Sequence, residues 1–408
     1  MRYIDRWMLL LLAVLLTACH SSDEDSLDQN CYLDIYVYAP DRPIVTRGDV
    51  GEVLPLSDGD GAEKIVHSLQ IWVFKSNGGD KVGYLGVDQT SDYYADPTFL
   101  NKTGQQKYRM KVAKEFADHP EAVDVYVVAN AETCGLDLSE SSTRKTLDDA
   151  VIGKDSPVEG ECYFSPAEKQ SSVPSKGLPM SAILKNQSIS GSFPALRIGS
   201  ETEMTTLKLT RAVSKLRFVL CRKDDTNSTK KLVSIDGIEL YGGQIPEQTF
   251  LIPLTTNYSS GSYSSDAIVY VNENNKLLPS VAEGDGGIKS VDDPLTYVYE
   301  TQTAQEYENL INQAVSEGKL KQLGLTYLRE SDLQLKGNIN YTYRDGSTDK
   351  TVNTEFSMAA PGDFLRNHSW IIYIFYMDTK IHVQVVTDIG MKIWTPDGGE
   401  ENVIVHNW

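Results

Sequence analysis

Apolar and polar positions alternate with period two along most of the chain. Val66–Phe74 sets Leu69, Ile71 and Val73 on one face, and Asn77-Gly78-Gly79-Asp80 follows, which predicts a strand running into a hairpin turn. Ala122–Ala129 alternates in the same way. Leu207–Leu220 reads as a long strand whose phase shifts near Ala212, where a bulge or bend is expected. Trp370–Met377 and Ile381–Val386 flank Asp378-Thr379-Lys380, consistent with a second hairpin. Near the start of the chain, Cys31, Leu33, Ile35, Val37 and Ala39 share one face of a strictly alternating segment, and Tyr32, Asp34, Tyr36 and Tyr38 share the other. Helical period is clear in one place. After the capping box Thr303-x-x-Glu306, residues Tyr307, Leu310, Ile311, Ala314 and Val315 form an apolar stripe, which Gly318 ends. Such a stripe packs onto its own sheet or serves as a partner helix. Arg144–Ile152 reads as a shorter helix. The regular strand–helix alternation of a parallel sheet is missing, so the expected class is all-β. The polar stretch Cys221–Lys231 divides the chain. Each half is rich in short strands and turn signals, which predicts two tandem β-sandwiches over 48–222 and 223–408.

The first residues change this picture. Arg2 and Arg6 precede the apolar run Trp7–Leu16, and Leu16-Thr17-Ala18-Cys19 follows at once. A positive end, a short apolar stretch and small residues before a cut make a secretory signal, and Leu-Thr-Ala-Cys matches the lipobox, whose cysteine carries lipid. Residues 1–19 are therefore expected to be a lipoprotein signal that leaves Cys19 as the lipidated N-terminus, with 20–47 holding a tether and the first strand. The apolar run is about ten residues, against the roughly 20 that cross a bilayer, so lipid and not a spanning helix is the expected attachment. The formal charge of −19 argues against nucleic acid, which selects a basic surface. Beyond Cys19 there are four cysteines, Cys31, Cys134, Cys162 and Cys221, so the connectivities of up to two bridges stay open. There is no Cys-x-x-Cys, the six histidines have no metal spacing, and Asp58-Gly-Asp-Gly61 lacks the rest of a calcium loop. No phosphate-binding, dinucleotide or nucleophile-elbow motif is present. No catalytic residue, metal or cofactor is expected. Arg47-Gly48-Asp49 spells an integrin-binding tripeptide, but a cut after Arg47 would divide it.

Several local patterns then occur in order: Thr46-Arg47, Glu63-Lys64-Ile65, His67–Phe74, Val125–Asn130, Leu178-Pro179-Met180-Ser181, Leu209–Leu216, and a final strand pair carrying Trp394 and Trp408. Together they resemble the fimbrillins, the FimA/Mfa type of subunit that builds type V pili in Bacteroidetes. The resemblance spans nearly the whole chain, strongest in the first half and thin between residues 240 and 360. It implies two transthyretin-like β-sandwiches, export as a lipoprotein to the outer membrane and cell-surface fimbrium, and adhesion as the wider role. It also implies an arginine-specific protease that removes the lipidated segment with its first strand, and other fimbrial subunits as partners. Carried onto this chain, Cys19 is the lipid site, Arg47 the scissile residue and Tyr32–Tyr38 the departing strand, with Leu33, Ile35 and Val37 facing the core. Arg42 is a poor cut site because Pro43 follows it. The acidic run Ser22–Ser26 is a solvated tether, or the export tag of such surface lipoproteins.

The residues support strand exchange on their own account. Burying Leu33, Ile35 and Val37 stabilises by about 1.5–3 kcal/mol each. Removing them exposes a groove and a backbone edge that another strand can add to. The alternative is an ordinary N-terminal strand that stays. At the other end, Ile389–Trp394 and Asn402–Trp408 flank Pro396-Asp397-Gly398-Gly399, and Val403, Ile404, Val405 and Trp408 make a candidate donor strand. A terminal hairpin closing the second sandwich is equally consistent. Cys31 lies inside the departing segment, so a bridge from it would hold the strand after cutting and favour an uncut anchor or tip accessory subunit. A carbohydrate-binding surface lipoprotein is the reading from another class.

Overall fold

A computed structural model of the chain describes residues 31–39, 66–88, 104–154, 156, 177–192, 194–199, 205–223, 230–252, 261–270, 304–357, 364–377, 380–387, 390–394 and 403–404. In the first half these form β1 (Cys31–Ala39), β2 (Ser68–Lys75), β3 (Lys81–Asp88), β4 (Gly104–Val112), α1 (Lys114–Asp118), β5 (Val123–Ala129), α2 (Arg144–Asp148), β6 (Val151–Gly153), β7 (Met180–Gln187), β8 (Ile189–Ser192), β9 (Ala195–Ile198), β10 (Thr206–Lys208) and β11 (Thr210–Arg211). The second half adds β12 (Ser214–Arg222), β13 (Lys230–Leu240), β14 (Gln248–Phe250), β15 (Ile268–Tyr270), α3 (Ala304–Ser316), β16 (Leu320–Leu328), β17 (Lys336–Asp345), β18 (Thr348–Ser357), β19 (Ser369–Met377), β20 (Lys380–Thr387), β21 (Gly390–Trp394) and β22 (Val403–Ile404).

Strands dominate, as the period-two pattern predicts, and they stack as two sandwiches. In the first, β1 lies between β4 and the β8–β9 and β10 strands, and this sheet faces a second sheet of order β11-β7-β5-β2-β3. Leu33, Ile35 and Val37 interdigitate there with Leu69, Ile71, Val73, Val125 and Val127. In the second sandwich, a third sheet, β16-β12-β19-β20-β21-β22, faces a fourth, β15-β13-β17-β18. Its core holds Phe218, Ile238, Ile339, Phe356, Trp370 and Ile372. The helical stripe finds its own sheet: Ile311, Ala314 and Val315 of α3 cover Val219, Ile371, Tyr373 and Phe375 on the back of the third sheet. The β2–β3 turn closes through the Lys75 N–H to Asp80 oxygen bond of 2.8 Å. Gly78 and Gly79 hold φ of 91° and 79°, a left-handed geometry that suits glycine.

Two expectations are revised. Residues 144–152 are not one helix; α2 stops at Asp148, and Val151–Gly153 is a strand paired with β14. Its two-sided apolar content serves that buried pairing, which short-range periodicity does not separate from helix. The long strand 207–220 is divided into β10, β11 and β12 around Ala212 and Val213, where the phase shift falls. β12 already pairs with β16 and β19, so the second sandwich begins at Ser214, upstream of residue 223.

Apolar packing and a buried hydrogen bond tie the halves together. The outer face of the second sheet, with Trp72, Phe74, Tyr126 and Val128, packs on Leu251, Ile252, Leu325 and Tyr327. β5 is therefore buried along its whole length, despite an alternating sequence. The Ser181 hydroxyl donates to the Leu251 carbonyl at 2.7 Å. Arg366 donates from Nε to Glu330 at 2.7 Å and from Nη1 to the Leu251 carbonyl at 2.9 Å, and it also reaches the Phe250 carbonyl. Glu330 is fully buried and Arg366 nearly so. Removing one partner leaves a buried charge uncompensated, whereas replacing both with apolar groups does not. Arg366→Met should therefore cost about 3–5 kcal/mol in urea unfolding. The Glu330→Leu/Arg366→Met pair should recover most of that loss, and Lys145→Ala, on an exposed helix pair, should leave the midpoint where it is.

Candidate functional site

The strand that the sequence marks for removal is the centre of the first sheet. β1 runs antiparallel to β4 over its whole length, from Cys31 opposite Val112 to Ala39 opposite Gly104. Its other edge is shared by two parallel neighbours. β9 takes Tyr32–Asp34 and β10 takes Tyr36–Tyr38, so the ladder breaks opposite Ile35. Among the described strands, β4 and β10 pair with β1 alone, and the β8–β9 hairpin joins the sheet only through it. Leu33 and Ile35 are completely buried and Val37 nearly so. Taking β1 away opens an apolar trough with a bare backbone edge on each side, the geometry that strand addition needs.

The other face of β1 holds an electrostatic clamp. Asp34 is 6% exposed although it points away from the core. Arg109, its cross-strand neighbour, donates to it from Nε at 2.7 Å and from Nη2 at 3.0 Å, and Lys107 Nζ lies 2.7 Å away. The Arg109 guanidinium also sits over the Tyr32 ring, 5.6 Å from its centroid. Burial pushes the Asp34 carboxyl up, but the hydrogen bonds and charges of Arg109 and Lys107 together outweigh it. The group is held below its ordinary value near 3.8. Both cations are nearly half exposed, so solvent screens part of the attraction.

The other residues named from sequence are placed less fully. Cys19, Arg47, Val405 and Trp408 lie outside the described residues. Val403 and Ile404 form β22, which pairs with Met391 and Lys392 of β21 at the edge of the third sheet. The terminal segment therefore extends its own sandwich here. Cys31, Cys134 and Cys221 are buried in three different clusters, while Cys162 lies outside the described residues. Among the described residues no group of three or more His, Cys, Asp or Glu side chains is gathered as for a metal, and no helix is long and apolar enough to cross a membrane. Sequence reasoning passed over the Asp34 clamp. Its signal is the run Lys107-x-Arg109-x-Lys111, which alternates cations on the outward row of β4.

The quoted motifs sit at polar joints. Asn130, left-handed at φ 57°, accepts from the His67 N–H at 2.9 Å and donates to the Leu178 carbonyl at 2.7 Å. The Asn367 side chain accepts from the Arg211 N–H at 3.2 Å.

Solved structures with a similar course of chain are fimbrial and adhesion proteins. The tip fimbrial protein Mfa3 of Porphyromonas gingivalis shares 15% identity at a TM-score of 0.44, covering 90% of this chain and all of that one. A candidate cell adhesion protein of Parabacteroides distasonis shares 13% at 0.48, covering 88% and 97%. The fimbrial anchor Mfa2 of Porphyromonas gingivalis shares 8% at a TM-score of 0.36, covering 89% and 98%. No protein-family profile matches the chain, and no curated protein matches it. At such identities and scores no role passes from those proteins to this one.

The clamp makes a pH prediction. A carboxyl held low in the folded state contributes stability above its unfolded value, near 3.9, and loses that contribution as pH falls through the folded value. Asp34→Asn should thus lower the urea midpoint at pH 7, and the gap to wild type should close below about pH 4. Ile35→Ala should cost about 2–5 kcal/mol at either pH, because its loss is one of packing.

Proposed function

We propose that this chain is a structural subunit of a surface fimbrium that polymerises by strand exchange and carries out no catalysis. In this reading it is exported as a lipoprotein through Cys19 and held at the outer membrane until an arginine-specific protease cuts after Arg47. The cut frees β1 with its lipid, and a strand of another subunit takes its place. The observation that carries the proposal is the position of β1. It is the first of the described strands and precedes Arg47, yet it lies between neighbours on both edges and fills the core with Leu33, Ile35 and Val37. A cut after Arg47 severs its connection to the strands that follow. A strand with two neighbours leaves behind a site that only another strand satisfies.

One observation favours a second reading within the same assembly. β21 and β22 continue the third sheet rather than standing away from it. An uncut anchor or tip subunit would keep its terminal strand in this way.

The test is proteolysis of the purified full chain with an arginine-specific protease. The expected result is a new N-terminus at Gly48, loss of the segment holding β1, and a ladder of SDS-resistant multimers. Arg47→Ala should block all three. A chain whose N-terminus survives, or which stays monomeric after being cut, would sink the shaft reading.

A further inference from the structure

The first sheet has a charge pattern opposite to that of the chain. Its strands carry Lys107, Arg109 and Lys111 on β4, Arg197 on β9 and Lys208 on β10, in a chain of formal charge −19. All five alternate with core residues such as Tyr108, Met110, Leu196 and Leu207, so they occupy the outward row. The sheet's strands hold a single carboxylate, Asp34, and it is on β1. Register makes its place distinctive. Asp34 faces Arg109 across one edge and Arg197 across the other. The outward positions two residues away face a cation on one side only: Tyr36 has Lys107 and Thr206, and Tyr32 has Lys111 and Ala195.

We infer that the groove is keyed for an incoming strand that carries one carboxylate at the Asp34 position. This rests on the reading that β1 is replaceable. A strand without that carboxylate leaves Arg109 and Lys107 without the anion that now draws them together, in a row of like charges. A strand with the carboxylate one residue out of register turns it into the apolar core. The carboxylate therefore sets both the choice of partner and the register. The consequence for this chain is specific. Its C-terminal segments 389–394 and 402–408 carry no side-chain carboxylate, and the first contains Lys392, but Glu400 and Glu401 directly precede the second. Segment 400–408 of a second copy therefore fits only in a register that brings one of those glutamates to the Asp34 position.

The experiment uses the full chain after cutting by the arginine-specific protease, with labelled peptides read by fluorescence anisotropy at low salt. The peptides are the 31–39 sequence, the same peptide with Asp34→Asn, and the 402–408 sequence. The acidic peptide should enter at least about tenfold more tightly than the other two, as a charge-assisted hydrogen bond gives. Arg109→Gln in the chain should remove most of that preference, and so should added salt. If acidic and neutral peptides enter equally, exchange stands and the key is refuted. If no peptide enters and the chain retains its own β1, replaceability itself is refuted and the key falls with it.

Discussion

The first sandwich depends on one strand making two ladders. β1 alone connects β4, β10 and the β8–β9 hairpin among the described strands, so the inward rows of those elements reach the core only because β1 holds them in one surface. The apolar contribution of Leu33, Ile35 and Val37 is thus the smaller part of what β1 supplies. The larger part is that Tyr108, Met110, Leu196 and Leu207 are buried against the second sheet at all. Such a sheet has no useful state with the strand simply missing, since backbone donors and acceptors would be bared on both edges.

The rest of the molecule confines this dependence to the outermost layer. The second sheet is buried on both faces, inward on the first sheet and outward on Leu251, Ile252, Leu325 and Tyr327 of the other half. The Ser181 hydroxyl crosses that junction to the Leu251 carbonyl, which Arg366, paired with Glu330 in the second half, also holds. α3 occupies the back of the third sheet. The first sheet instead carries its charged row on its outward face, with Lys107 and Arg109 nearly half exposed. Strand replacement there needs no separation of the two sandwiches, and a firm junction keeps the second sheet as a fixed floor for the groove.

Much of this was legible in the chain. Alternation gave the core face of β1 and β2, the Gly78–Gly79 turn, the β19–β20 hairpin and the cover supplied by α3, because each is a local pattern that packing then satisfies. The bend near Ala212 was visible as a loss of phase. Which sheet the next strand joins was not, since β12 pairs with β16 and β19 across distant sequence. The same limit hid β6, whose partner β14 lies in the other half. For the site, sequence located the strand and its apolar row but not its neighbours. Asp34 looked like one outward polar residue among tyrosines until register set it between Arg109 and Arg197.

Register also bears on how a central strand could be exchanged at all. Two ladders broken at once would cost far more than a domain's marginal stability, so displacement has to proceed piecewise, with the incoming strand forming pairs as the old one gives them up. The break opposite Ile35 divides β1 into two such pieces. Tyr36–Tyr38 pairs with β10, while Tyr32–Asp34 pairs with β9 and holds the bidentate Arg109 contact. The piece without the carboxylate is the one nearer Arg47 in sequence. A cut after Arg47 therefore loosens β1 from its more weakly held end. The Asp34 clamp is the last contact in that order, where a carboxylate on the incoming strand takes over the same two cations.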